Sequence, residues 1–303
     1  MDAETLARAL PMTAAIDALE AAFGSERLPE APMRTHVETR AGTLLLMPAF
    51  GEPGVGVKLV TLTPSNPDRR LPFIHAVYVL FEAVGQLPVA LLDGAALTAL
   101  RTAAVSGLAT RHLARADASR LAIFGAGVQA RSHLRAMLAV RPIEDAVIVS
   151  RTADRATALA QEAFEAGVNA RVGAPDDVED RYLVCTCTTS ATPVFDGSLL
   201  APGTHVNAVG AYRPDLRELD TETIERARVV VETREAAMEE AGDLLIPMKE
   251  GAIGEDHVVA DLAEVVRGVT ARRTDQDVTV FKSVGVAFED LVVARAAADR
   301  LGS

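Results

Sequence analysis

The sequence predicts an α/β protein in which a doubly wound parallel sheet occupies the middle of the chain and the two ends together make a second, α+β domain. Three observations carry this. After Asp117, short apolar runs (LAIF, AVIVS, YLVCTC, HVNAVGA and RVVVE) alternate with helical segments, the pattern of parallel strands joined by crossover helices. Between residue 25 and Leu97 the apolar runs are parted by Gly, Pro and Asn with no helical stretch, which predicts an antiparallel meander. The last segment, VTVFKSVGVAFEDLVVARAAADRL, reads as one strand and one long helix that packs back on the amino-terminal sheet. The expected boundaries are 1–114 with 276–303 for the discontinuous domain and 115–275 for the parallel-sheet domain.

The elements follow in order. Residues 1–24 form an opening helix with Leu6, Leu10, Ile16, Leu19 and Phe23 as core contacts, and Pro11, which has no amide hydrogen, forces a break or restart. TLLLMPAF, GVKLVTLTP, FIHAVYVLFEA and PVALLDG are the meander strands, with GEPGVG and PSNPDRRLP as the expected mobile segments and the second as a candidate lid. From Leu97 to Leu113 the spacing turns helical. LAIF is then the first parallel strand, Leu134, Met137 and Leu138 mark the apolar face of the next helix, and DAVIVS is the second parallel strand.

Between that strand and helix stands GAGVQA. A bound pyrophosphate needs backbone N–H groups at a helix start and a turn that comes close without a Cβ in the way; Gly125 and Gly127 supply the turn, and Ala130 is small enough for close helix-on-strand packing. Strand, glycine turn, helix and second strand in one unit predict a Rossmann-type dinucleotide site, with a ligand-free tight turn as the alternative. The tip of the second strand selects the cofactor. Where an NAD site keeps a carboxylate for the ribose, this chain has Ser150, Arg151 and Thr152, with Arg155 one helical turn further on. A guanidinium grips a 2′-phosphate, so NADP(H) is expected, with NAD(H) as the alternative because Asp154 stands nearby.

Composition narrows the class. The 303 residues are enough for two domains, and a 49% apolar content supplies a core. A formal charge of −12 argues against nucleic acid or an anionic membrane as partner, since both need clustered Lys and Arg. No apolar run is long enough to span a bilayer and the opening MDAETLARAL lacks signal-peptide order, so a cytoplasmic protein is expected. Cys185 and Cys187, two apart in a strand, read as core thiols. The histidines show no metal spacing, no serine sits in a nucleophile elbow, and His75 reads as a core residue of its strand.

Two cations stand out. In the helix 97–113, Arg101 falls inside the stripe of Leu97, Leu100, Ala104, Val105 and Leu108, so an anion must face it, either a protein carboxylate or a ligand carboxylate. Lys58 lies in a strand apolar on both faces. Desolvation there lowers its pKa and suits it to proton transfer near neutral pH, with a snorkelling edge lysine as the alternative. Arg34, in PMRTHVE, reads by itself as a surface arginine.

The motifs GVKLVTLTPSNP, LPVALLDGAALTALRTAAVS, IFGAGVQARSH, SRT, HVNAVGAYRPDLRELD and FKSVGVAFEDL, in this order, resemble the ornithine cyclodeaminase and mu-crystallin family. The resemblance implies homodimers with a discontinuous substrate-binding and dimerisation domain beside a Rossmann domain. It implies that Arg34, Lys58 and Arg101 hold a substrate carboxylate, with Lys58 or a water as proton donor. It further implies that Val128, Gln129, Ser150, Arg151, Thr152, Thr188, the strand end Val206, Asn207, Ala208 and Val209, and Ser283 contact cofactor, and that Val284 lies beside substrate. One departure separates the family's activities. Cyclodeaminases resemble one another in an aspartate after the NAVG strand, and here that position is Tyr212, a phenol that does not ionise near neutral pH. The expected activity is therefore an NAD(P)H-dependent reductase or amino-acid dehydrogenase acting on a small 2-imino, 2-oxo or amino acid. The alternatives are a cyclodeaminase that recycles NAD and a protein of mu-crystallin type that binds NADPH and a small ligand without turnover.

Overall fold

The computed structural model describes residues 1–302. Along the chain, α1 (Ala3–Ala9) and α2 (Met12–Gly24) precede β1 (Thr35–Thr39), β2 (Gly42–Gly51), β3 (Gly54–Leu62), β4 (Ile74–Phe81) and β5 (Pro88–Asp93). After α3 (Gly94–Leu113) come β6 (Arg120–Phe124), α4 (Val128–Val140), β7 (Asp145–Val149), α5 (Ala153–Glu165), β8 (Asn169–Val172), β9 (Leu183–Thr186) and β10 (His205–Ala208). The last third carries α6 (Thr221–Arg226), β11 (Ala227–Val231), α7 (Arg234–Glu240), α8 (Gly242–Glu250), β12 (Val258–Asp261), α9 (Leu262–Val266), β13 (Val278–Lys282) and α10 (Ala287–Arg300). These form two compact units, Met1–Ala104 with Val286–Ser303, and Val105–Gly285.

In the first unit, Pro11 does what its missing amide hydrogen dictates, ending α1 and serving as N-cap of α2. Leu6, Leu10, Ile16, Leu19 and Phe23 are all buried, and Phe23 meets Phe288 of α10 edge-on at 5.1 Å between ring centroids. The sheet is the expected antiparallel meander, ordered β1-β2-β3-β4-β5. Its period-two alternation puts one face inward, and the row Met47, Lys58, Tyr78 and Leu92, directly opposite one another across four strands, is buried on that face. The helix α10 packs on β2 to β5. The sheet's other face is also apolar. The row Pro48, Val57, Val79 and Leu91 is only half-buried, and Leu91 is 59% exposed.

Two expectations for this unit change. GEPG is a tight hairpin between β2 and β3, with Gly54 at φ +132°, where a side chain would collide with the Phe81 carbonyl. His75 is exposed near the start of β4, so it is not a core residue. By the two-residue alternation of the strand it shares the outer face with Val77 and Val79, opposite the face that buries Tyr78 and Leu80.

The second unit is a wholly parallel sheet of eight strands in the order β12-β11-β13-β10-β9-β6-β7-β8. The order reverses beside β6, which places a crevice at the carboxyl ends of β6 and β9. The expected boundaries move. β13 is hydrogen-bonded on both sides, to β10 and β11, so residues 276–285 fall with the second unit rather than with the discontinuous one, and the last turns of α3 fall with them. Among the described residues no helix is long and apolar enough to cross a membrane, and no three His, Cys, Asp or Glu side chains are grouped to hold a metal ion.

Candidate active site

In the second unit a cavity of about 670 Å³ opens at the carboxyl ends of β6, β7 and β9. Gly125, Gly127, Ser150, Arg151, Thr152, Arg155 and Thr188 all line it. The two glycines are there for different reasons. Gly125 has φ +108°, and a Cβ would lie 2.6 Å from the Cys187 carbonyl, so the turn itself requires glycine. Gly127 has φ −92°, which any residue adopts, and a Cβ there would meet nothing within 4 Å. Nothing in the protein requires the missing side chain, and its absence leaves room for a ligand against the start of α4. Gly127 is the N-cap of α4 and makes no side-chain cap, so the helix opens with amide hydrogens suited to an anion. A dinucleotide therefore fits the residues present.

Arg151 and Arg155 are exposed, line the cavity and have no carboxylate partner among the described residues. Val128 is 65% exposed, and Gln129 beside it is half-buried. The strand end lies deeper. Val206, Asn207 and Ala208 are fully buried in β10, between β9 and β13, and do not line the cavity; the Asn207 amide donates to Thr110 Oγ at 2.9 Å. Only Val209, after the strand, is half-buried. Ser283 is likewise buried, its hydroxyl donating to Glu232 at 2.7 Å, and the same carboxylate accepts from the Val284 and Gly285 amides. Cys185 is buried, which pushes its thiol up to about 12, and Cys187 lines the cavity.

The first unit holds the two cations that stand out in the sequence, Lys58 and Arg101, both buried. Lys58 Nζ lies 2.7 Å from Asp290 Oδ2, Arg101 Nη1 lies 2.9 Å from Glu289 Oε2, and Arg101 Nε lies 3.4 Å from Asp290 Oδ1. The anion that Arg101 demanded is thus a pair of protein carboxylates from α10, both wholly buried. Burial pulls the Lys58 ammonium down to about 8; Asp290 works against the shift, and the Arg101 and Arg34 charges add to it. Arg34 is half-buried just before β1, and its charge adds to the lowering of the Lys58 ammonium. Tyr78 is buried opposite Lys58, and burial together with Asp290 holds its phenol well above the usual range.

Sequence reasoning missed four carboxylates: Glu289 and Asp290, which pair with the cations, and Glu218 and Glu232, which sit under the strand ends. The signal was present in Glu289 and Asp290, adjacent acids between Phe288 and Leu291 in the apolar first half of the terminal helix.

The sequence model of the ornithine cyclodeaminase/mu-crystallin family matches residues 2–303. The chain belongs to this family. A Delta(1)-pyrroline-2-carboxylate reductase of Bacillus cereus is 39% identical over 282 residues, which are 90% of this chain and 86% of the relative. Among solved structures, Thermococcus litoralis Delta(1)-pyrroline-2-carboxylate reductase in complex with NADH and L-proline superposes with a TM-score of 0.92 at 37% identity, covering 99% of this chain and 96% of that one. An archaeal alanine dehydrogenase dimer with bound NAD gives 0.93 at 31% identity, covering 99% and 94%. The family's fold is therefore present over the whole length. The resemblance read from the motifs and the expected α/β class both hold.

Proposed function

We propose that the protein is an NAD(P)H-dependent oxidoreductase that reduces a small 2-imino or 2-oxo acid, with a cyclic imino acid such as pyrroline-2-carboxylate as the first substrate to try. The observation that carries the reading is the pair of buried cations Lys58 and Arg101, which one strand and one helix bring to the same two buried carboxylates, Asp290 and Glu289, with the Arg34 charge acting on Lys58. Such a cluster suits a substrate carboxylate. Relatives named as reductases of this imino acid, one of them solved with NADH and L-proline, support it.

When bound, the dinucleotide supplies the hydride that reaches the electrophilic carbon. The chain's own residues do the rest. Arg101 and Arg34 hold the carboxylate, and Val284 bounds the substrate. Lys58 spends one of its three N–H donors on Asp290 and keeps two, one of which delivers the proton to the imine nitrogen. Tyr212 is 36% exposed and offers no carboxylate, which leaves the ring-closing chemistry of a cyclodeaminase without its acid.

NADP(H) is the preferred cofactor in this reading, held at its 2′-phosphate by Arg151 and Arg155, with Ser150 and Thr152 as hydroxyl donors. Arg151→Ser is expected to raise the KM for NADPH about tenfold or more and leave that for NADH within about twofold, as loss of a charge-assisted hydrogen bond requires. Equal effects on both cofactors would remove the preference. A second copy of the chain is the proposed cover for the apolar outer face of the β1–β5 sheet, so the mass in solution should be twice that of one chain.

The deciding experiment follows nicotinamide absorbance with NADPH and NADH against pyrroline-2-carboxylate, other cyclic imines, and 2-oxo acids with ammonia. Consumption of one dinucleotide per substrate is expected. Turnover with no net consumption would make the protein a cyclodeaminase, and dinucleotide binding with no turnover on any of these compounds would leave a binding protein.

A further inference from the structure

We propose that Glu218 is a positioning residue of the dinucleotide site: it clamps the loops that leave β9 and β10 and sets the hydrogen-bonding polarity of the Thr188 wall. The inference rests on the dinucleotide reading above and adds a residue that neither the glycine motif nor the strand tip points to.

Glu218 is wholly buried, and both its oxygens are saturated by donors from two different strand ends. Oε1 accepts from the Thr188 amide and the Thr188 hydroxyl, each at 2.7 Å. Oε2 accepts from the Thr186 hydroxyl at 2.8 Å and the Gly210 amide at 2.7 Å. The β9–β10 ladder runs only to Thr186 and Ala208, with one further bond from the Val209 amide to the Thr186 carbonyl. Beyond that point the two chains part, and the carboxylate takes over where the ladder stops. Gly210 makes room for it, since a Cβ there would lie 2.5 Å from Glu218 Oε1.

The clamp is itself held. Asp243 Oδ1 accepts from the Glu218 and Leu219 amides at 2.7 and 2.9 Å, and Lys282 of β13 lies 2.8 Å from Asp243 Oδ2. Lys282 also donates to the Ala208 and Ala211 carbonyls, at 3.2 and 2.5 Å, on either side of Gly210. Two carboxylates and one ammonium in a buried cluster are more acid than a packing device needs. An apolar trio of the same volume would fill the space without the desolvation cost.

The polarity follows from the donors. Thr188 turns both its amide and hydroxyl hydrogens inward to Glu218, and its hydroxyl oxygen already accepts from the Ser190 amide at 3.0 Å. What it has left for the cavity is a lone pair. The Thr188 wall therefore receives a donor, which on a dinucleotide means a sugar hydroxyl or an N–H of the nicotinamide carboxamide or adenine, while phosphate goes to the amides at the start of α4.

The test is Glu218→Gln, which keeps size and shape but turns an amide NH₂ toward groups that are themselves donors. Kd values for NADH and NADPH, read from nicotinamide fluorescence, are expected to rise about tenfold or more. The KM for the imino acid at saturating dinucleotide and the kcat there should stay within about threefold. A purely structural role would instead lower the melting temperature and the active fraction with Kd unchanged, and that result overturns the proposal. Thr186→Val supplies the second arm, because Thr186 is fully buried, does not line the cavity and donates its hydroxyl to Glu218. A rise of about twofold to fivefold in both Kd values is expected, and none would also overturn it. If the unmodified protein binds neither dinucleotide, the reading of the site fails instead.

Discussion

Asp290→Ala is expected to cost about 3–5 kcal/mol of folding stability, the loss that follows when one partner is taken from a buried ion pair. Asp290 is wholly buried and faces both Lys58 at 2.7 Å and Arg101 at 3.4 Å. Without it Arg101 keeps Glu289, while the Lys58 ammonium stays in a low-dielectric site without its carboxylate. The urea midpoint should fall accordingly, and a change of less than about 1 kcal/mol would mean that the pair carries little weight. Asp290→Asn should fall between, since it keeps a hydrogen-bond acceptor and loses the charge. The same lysine gives the unmodified protein a pH signature. Its folded pKa of about 8 lies below the ordinary 10.5, so between those values the unfolded chain binds more protons than the folded one. This group's contribution to stability rises with pH across that window and is flat below it.

Lys58→Met should lower kcat for imine reduction by about 10²–10⁴, the range for loss of a positioned proton donor, with the fold retained. Methionine fills the lysine's stem volume, and Asp290 still has Arg101 as a partner. The pH profile separates a proton donor from a mere anchor. As a donor Lys58 must be protonated, so kcat in the unmodified enzyme should decline as pH rises through about 8, and the residual rate of the variant should lack that alkaline limb. An unchanged kcat with only a raised KM would reduce Lys58 to holding the carboxylate.

Most of the architecture was legible because it rests on local rules. The glycine turn, the meander, the break at Pro11 and the apolar faces of α2 and α3 each follow from spacing or from one residue's backbone chemistry. The strands β8 and β12 were not legible. Each is four residues long and lies at an edge of the sheet, where half the burial that marks a strand is missing. The cations Lys58 and Arg101 were visible as charges out of place in apolar patterns. Their partners were not, because Asp290 is 232 residues from Lys58 and no spacing rule connects them. The burial of Val206, Asn207 and Ala208 follows from the sheet: a strand that points at a site carries its side chains into the layers on either side, and its end opens toward the crevice.

The placement of α10 has a consequence for the order in which the protein comes into being. Lys58 and Arg101 leave the ribosome early, but Glu289 and Asp290 are made nearly two hundred residues after Arg101, as its separation of 188 from Glu289 records. Throughout that interval the inner face of the meander sheet lacks α10, and Lys58 lacks the Asp290 carboxylate. The residues between, Val105–Gly285, form a compact unit with its own core and can fold as they appear. The domain that is begun first is finished last.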